Sequence, residues 1–184
     1  MVPTGRDGSG SRLYLVRHGR PLVHPERPAA TWRLDPAALG DVDALRASGR
    51  LPAGATWCSS PEPKARETAA RLTDRPVQVV DDLAEQVRGA HWFDADDDFR
   101  AALRRAFERP DERAVPAWEP IAATRDRVVG AVRRLRGEHA GDLVLVGHGT
   151  AWTVLTSTLA GTAPDLSAWE RLAMPDLLVT RLAR

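Results

Sequence analysis

Short apolar runs alternate with longer amphipathic stretches along this chain. Arg12 to Arg17 (RLYLVR) is apolar and stops at His18-Gly19, which predicts a buried strand feeding a loop. Ala55 to Cys58 and Val77 to Val80 predict two further short strands. Leu143 to Val146 predicts a fourth, followed at once by Gly147-His148-Gly149, and Leu177 to Leu182 predicts the last. Between these runs the apolar positions recur at helical spacing. Ala38, Leu39, Val42 and Leu45 follow Asp35-Pro36, a good helix start, and Gly49 stops the pattern. Ser59-Ser60-Pro61 predicts a helix capped by Ser60, with Pro61 in its first position, running to about Leu72. Asp96 to Glu108 predicts another helix. Glu119 to Arg136 is the longest helical pattern, with Ile121, Val128, Val129, Val132 and Leu135 as its stripe. Thr150 to Leu159 predicts a helix closed by Gly161, while 21–31 and 81–91 read as loops. Strands alternating with helices predict the α/β class: a three-layer α/β/α sandwich with a mainly parallel sheet flanked by helices.

Composition narrows the picture. A chain of 184 residues suits a single domain, expected over 12–184 behind a flexible polar leader at 1–11. The net charge is +1 with 28% charged residues, and no basic cluster argues for a nucleic-acid partner. No apolar run approaches the roughly 18 residues of a membrane span, and the leader lacks the apolar middle of a signal peptide. The one cysteine, Cys58, excludes an internal disulfide framework and a multi-cysteine metal site. A reduced, cytoplasmic setting is the expectation. Of the 26 basic residues one alone is lysine, Lys64.

Candidate chemistry gathers in three segments. LYLVRHG and LVLVGHG each place a His-Gly just past an apolar strand. In open α/β sheets ligands bind beyond the carboxyl ends of the strands, so His18 and His148 are expected to project from one edge. Either histidine alone reads as an ordinary loop residue; two copies, one beside Arg17, read as a site. The glycine after each would let backbone approach a ligand closely. The third segment is SSPEPKARETA, residues 59–69, which opens a helix just after a strand. A helix N-terminus favours phosphate, and Lys64 adds a full charge there. Other acidic and aromatic residues read as structural. Asp94 to Asp98 lacks the glycine and the final glutamate of a calcium loop and reads as a helix start. His139 suits a helix end, and Cys58 a packing role. Most of the six tryptophans are expected in the core, with Trp92 a candidate to line the mouth of a site.

Taken together, the segments resemble the histidine phosphatase superfamily, which includes the cofactor-dependent phosphoglycerate mutases. Arg17-His18-Gly19 after a strand looks like its signature. Ser59-Ser60-Pro61 with Ala65 and Thr68-Ala69 resembles its second block, and LVLVGHG the block with its second histidine. Leu83-Ala84-Glu85 with Gly89 resembles the segment that carries its acid, and Trp118-Glu119 with Arg127 fits a helix before the second histidine. The resemblance implies a phosphoglycerate mutase-like fold and a phosphatase with neither metal nor cofactor. His18 would be the nucleophile, Glu85 the acid and base, and His148 its partner. Arg17, Lys64, Gly149 and Thr150 would bind phosphate. The substrate would be a phosphorylated small molecule or a phosphoprotein. Lys64 stands where the family most often has Arg, and Arg66 is expected to point away. Glu67 is expected to pair with Lys64 or Arg71, and His24 stands where the mutases usually have Asn. Mutase-type phosphotransfer and a non-catalytic phosphate-binding module are the alternatives. The short stretch between Gly89 and Trp118 leaves little room for a mutase lid.

Overall fold

The computed structural model describes residues 11–181; the expected leader falls outside these apart from Ser11, as does Leu182 at the end of the last expected strand. Five strands form one sheet: β1 (Arg12–Arg17), β2 (Thr56–Ser59), β3 (Val77–Val79), β4 (Leu143–Gly147) and β5 (Asp176–Arg181). Their order is β3-β2-β4-β1-β5, with β5 alone antiparallel. The helices are α1 (Leu39–Ala47), α2 (Pro63–Leu72), α3 (Asp96–Glu108), α4 (Ile121–Glu138), α5 (Gly149–Ala160) and α6 (Leu166–Arg171). Among the described residues, no helix is long and apolar enough to cross a membrane.

Alternation along the strands builds the layers. Leu13 and Leu15 of β1, with Leu143 and Leu145 of β4, face Val128 and Val132 of α4 and Leu155 of α5. Tyr14 and Val16, with Val144 and Val146, face Val42 of α1 and Ala65 and Ala69 of α2. Successive side chains point to opposite faces, so a strand buried on both sides reads as one continuous apolar run. Each fully buried leucine contributes about 2 kcal/mol by area. Cys58 is fully buried in the first cluster, and burial pushes its thiol pKa up to about 11, so it packs rather than reacts.

Helix ends follow local chemistry. The Asp35 carboxylate accepts the Ala37 N–H at 2.8 Å, capping a 3₁₀ turn that leads into α1. Gly161 ends α5 at φ 65°, a left-handed conformation that suits glycine. Asp96, Asp97 and Asp98 fill the first turn of α3, where the helix dipole favours acids.

Topology sets the site. β1 and β4 are adjacent and parallel, yet the helix after β1 packs on one face and the helix after β4 on the other. Neighbouring strands whose connections diverge leave a crevice at their carboxyl ends. Arg17 is in register with Gly147, and Ser59 with Val146, so three strand ends stop at one level.

Candidate active site

The residues just past these three strands are His18, His148 and Ser60. The ladder carries on through the first turn: His18 N–H donates to Gly147 O and Ser60 N–H to Val146 O, each at 2.9 Å. Both histidines are buried, and their rings meet edge to face with centroids 5.2 Å apart. His18 Nδ1 lies 2.7 Å from its neighbour's carbonyl, Gly19 O. A carbonyl only accepts, so Nδ1 carries the proton and Nε2 keeps its lone pair. Burial lowers the His18 pKa well below 6.5; His148, Lys64 and Arg17 lower it further against the pull of the Gly19 carbonyl. His148 Nε2 contacts Ser60 Oγ at 2.7 Å. Burial brings the His148 pKa to about 3, with Glu85 opposing and Lys64, Arg88 and Arg17 reinforcing. Both imidazoles are therefore neutral at pH 7.

Charges surround the pair. Arg17, at the end of β1, donates from Nη1 to Leu172 O at 2.6 Å, and its Nε is buried without a partner among the described residues. Burial lowers its pKa, offset by Glu85 and Asp176. Lys64, in the first turn of α2, is buried and donates to Glu62 Oε2 at 2.5 Å and to Ala29 O at 2.6 Å. Glu62 Oε1 accepts the Glu85 N–H at 2.9 Å and lies 3.5 Å from His148 Nε2. Glu85 caps α5, accepting from Thr150 N at 3.1 Å and from Ala151 N at 3.1 Å. Arg127 of α4 holds the acid's loop by its backbone, donating to Asp82 O and Ala84 O at 3.0 Å and to Glu85 O at 3.2 Å. Glu119 pairs with Arg127 at 2.8 Å.

Arg17, His18, Lys64, Glu85, His148, Gly149 and Thr150 thus line one cavity of about 930 Å³. Several expectations change. Ser60 does not cap α2: the helix starts at Pro63, and the Ser60 hydroxyl faces His148 while accepting Glu62 N–H at 3.2 Å. The helix starts two residues later than expected because Glu62 supplies the extended residue before a first-turn proline, Pro63. Glu67 pairs with neither Lys64 nor Arg71. It reaches across to Arg33 Nε at 2.6 Å and Leu34 N at 2.8 Å, where partners from the 29–34 segment pack on α2. Gly19 makes room for core side chains rather than for a ligand, since a Cβ there would lie 2.7 Å from Leu34 Cδ1 and 2.8 Å from Val42 Cγ2. A Cβ on Gly149 would lie 3.3 Å from Arg17 Nε, so that glycine clears space for the guanidinium. Trp57, Trp118 and Trp152 are core residues, with Trp118 also in the cavity wall, and Trp32, Trp92 and Trp169 line the cavity as well. The stretch after Gly89 forms α3, and its Trp92, Phe93 and Phe99 line the cavity. Arg66 is exposed, as expected, and His24 pairs with Glu26 at 3.4 Å. Sequence reading missed Glu62 and Arg88 as cavity residues. The signal available was a charged residue beside each quoted motif, but only the fold brings both to one side of His148.

The sequence profile of the histidine phosphatase superfamily (branch 1) matches residues 13–184. Among curated proteins, none matches the chain in sequence. Several solved structures share its fold. YhfR from Bacillus stearothermophilus is 22% identical, with 92% of this chain and 90% of that one covered and a TM-score of 0.73. The mycobacterial glucosyl-3-phosphoglycerate phosphatase is 19% identical over 92% and 89% of the two chains, with a TM-score of 0.72. A mutant phosphoserine phosphatase from Entamoeba histolytica, in complex with phosphoserine, is 16% identical over 92% and 89%, with a TM-score of 0.72.

Proposed function

The chain belongs to the histidine phosphatase superfamily, branch 1, and on that footing we propose that the protein hydrolyses a phosphomonoester through a phosphohistidine on His18. One observation carries the reading. His18 is tethered through Nδ1, so its unprotonated Nε2 is available between Arg17, Lys64 and His148. In the first step Nε2 attacks phosphorus in line and the bond to the alcohol oxygen breaks. Glu85 gives that oxygen a proton. In the second step water attacks phosphorus and loses its proton to Glu85, and the P–N bond breaks with its electrons returning to Nε2.

The cations have separable tasks. Arg17 offers a fork of donors to two equatorial oxygens. Lys64 uses two of its three hydrogens on Glu62 and Ala29 O, leaving one for the phosphoryl group. The amides of Thr150 and Ala151, now on Glu85, attract an incoming phosphoryl oxygen. That exchange frees the Glu85 carboxyl toward the leaving oxygen. A partly aromatic cavity and small-molecule phosphatases of the same fold favour a small substrate over a phosphoprotein.

The test is hydrolysis of p-nitrophenyl phosphate with EDTA present, followed by labelling from a ³²P-phosphomonoester and exposure of the labelled protein to acid and to base. Turnover that survives EDTA, with a label stable to base and lost in acid, supports a phosphohistidine. Phosphate binding without turnover would reject the hydrolase reading.

A further inference from the structure

Glu62 takes no step in the reaction above, yet it is a carboxylate in the wall of a cavity that must receive a phosphate. It is 7% exposed, and the lysine it pairs with is 5% exposed. A buried negative charge facing an incoming anion weakens the hold on that anion. The contacts of Glu62 show what offsets this.

The pair depends on the path of the chain at the head of α2. Glu62 precedes Pro63, which keeps it extended at ψ 137°, while Lys64 is already in the first turn of the helix. Residues two apart within a helix do not face each other. The change of direction before Pro63 brings them together, and Glu62 Oε2 accepts from Lys64 Nζ at 2.5 Å. A carboxylate in this position could accept the helix's own free amides, but the Glu62 side chain caps none of them.

A lysine ammonium is a point charge on a flexible stem, without the planar fork of an arginine. Two acceptors hold this one: Glu62 Oε2, and Ala29 O at 2.6 Å. With two of its three tetrahedral hydrogens placed, the direction of the third is set. Glu62 Oε1 meanwhile accepts the Glu85 N–H at 2.9 Å, so one carboxylate relates the cation to the main chain of the acid. We propose that Glu62 is a positioning residue for the hydrolysis, acting through Lys64: it aims the free hydrogen of the ammonium at the transferring phosphoryl group, and it loosens the hold on free phosphate. The proposal rests on the phosphatase reading for what occupies the cavity.

Glu62→Gln isolates this role. It keeps the shape, but has one acceptor oxygen where Glu62 uses two and no charge to hold the ammonium. With p-nitrophenyl phosphate kcat should fall by about 10²-fold, the scale of a misplaced group. Inorganic phosphate, as a competitive inhibitor, should bind at least about fivefold tighter, the scale of removing one like charge a few ångströms away. The two constants move in opposite senses, whereas a merely structural loss would weaken both. In a Lys64→Ala background the same substitution should lower kcat no further. Weaker phosphate binding in Glu62→Gln, an unchanged kcat, or a further loss in the Lys64→Ala background would each overturn the proposal. Glu62→Asp keeps the charge one methylene back and serves if the glutamine variant does not fold. It should bind phosphate as wild type does with kcat lowered, and an unchanged kcat there also overturns the proposal. Lys64 is the chain's one lysine, so ¹⁵N-lysine labelling gives a single side-chain ammonium signal. That signal should be protected from solvent exchange in wild type and lost to exchange in Glu62→Gln; the same signal in both would overturn the proposal. The signal and calorimetric titration with inorganic phosphate need no turnover. A protein that hydrolyses nothing would therefore fail the hydrolase reading, while these two measurements still decide whether Glu62 holds Lys64.

Discussion

The two strand-His-Gly units are near copies in sequence and neighbours in the sheet, yet their histidines are held in opposite ways. His18 is tied to its own backbone through Nδ1, which leaves the far nitrogen uncommitted. His148 is tied through Nε2 to Ser60 at the end of a third strand, with Glu62 close behind. The glycines differ as well. The space beside Gly19 is filled by apolar side chains of the core, and the space beside Gly149 by Arg17 and Trp169. A repeated motif places a side chain at a strand end. Its partners decide whether it is a free nucleophile or a fixed part of the pocket wall.

Substitutions can break this contrast. His18→Ala removes the proposed nucleophile and should lower kcat by at least about 10⁴-fold while abolishing ³²P labelling. His148→Ala should cost about 10²- to 10³-fold and leave slow labelling of His18, as expected for loss of a group that stabilises developing charge. Equal losses with no label in either variant would show that the two histidines act as one unit. Ser60→Ala sharpens the comparison further. It frees His148 Nε2 without removing the ring, and should lower kcat/KM by about 3- to 10-fold, the scale of one hydrogen bond. A silent Ser60→Ala would mean the hydroxyl does not set the ring.

The histidines also set how stability responds to pH. The folded protein takes up a proton on His148 only near pH 3, whereas the unfolded chain does so near 6.5. Between these values the unfolded state binds more protons, so stability is full above about pH 6.5 and falls as pH drops toward 3. His18 acts in the same direction. Urea denaturation should show a slope of up to about 1.4 kcal/mol per pH unit for each histidine, and His148→Asn should remove one share of it. An unchanged slope in that variant would mean that His148 titrates normally.

Much of the frame was legible from local pattern. The buried strands and α4 declare themselves because apolar periodicity records which faces are covered. The Glu85 loop was legible only through resemblance, since Leu83-Ala84-Glu85 with Gly89 is similar to the family's segment that carries its acid. The short helix α6 was not, since six residues, none of them buried, leave no periodic signal. Partner choice was also hidden. Glu67 lies 33 positions from Leu34, and Thr150 lies 62 from Arg88, so each pairing depends on the finished fold. Lys64 stands in the first turn of α2, but nothing local marks its buried partner Glu62. Arg88 was hidden too, because no local pattern shows that Phe99 and Trp118 fold over it.

Arg127 has a consequence for how this protein could be changed. Its hydrogen bonds to this loop go to three main-chain carbonyls around Glu85. The hold therefore does not depend on the side chains of the next residues. Gln86 is buried and bonded to Glu119 O, so it belongs to the frame, but Val87 and Arg88 can be varied while Arg127 keeps the main chain around Glu85 in place. A library confined to positions 87 and 88 would change the pocket wall on this scaffold without touching the proposed acid.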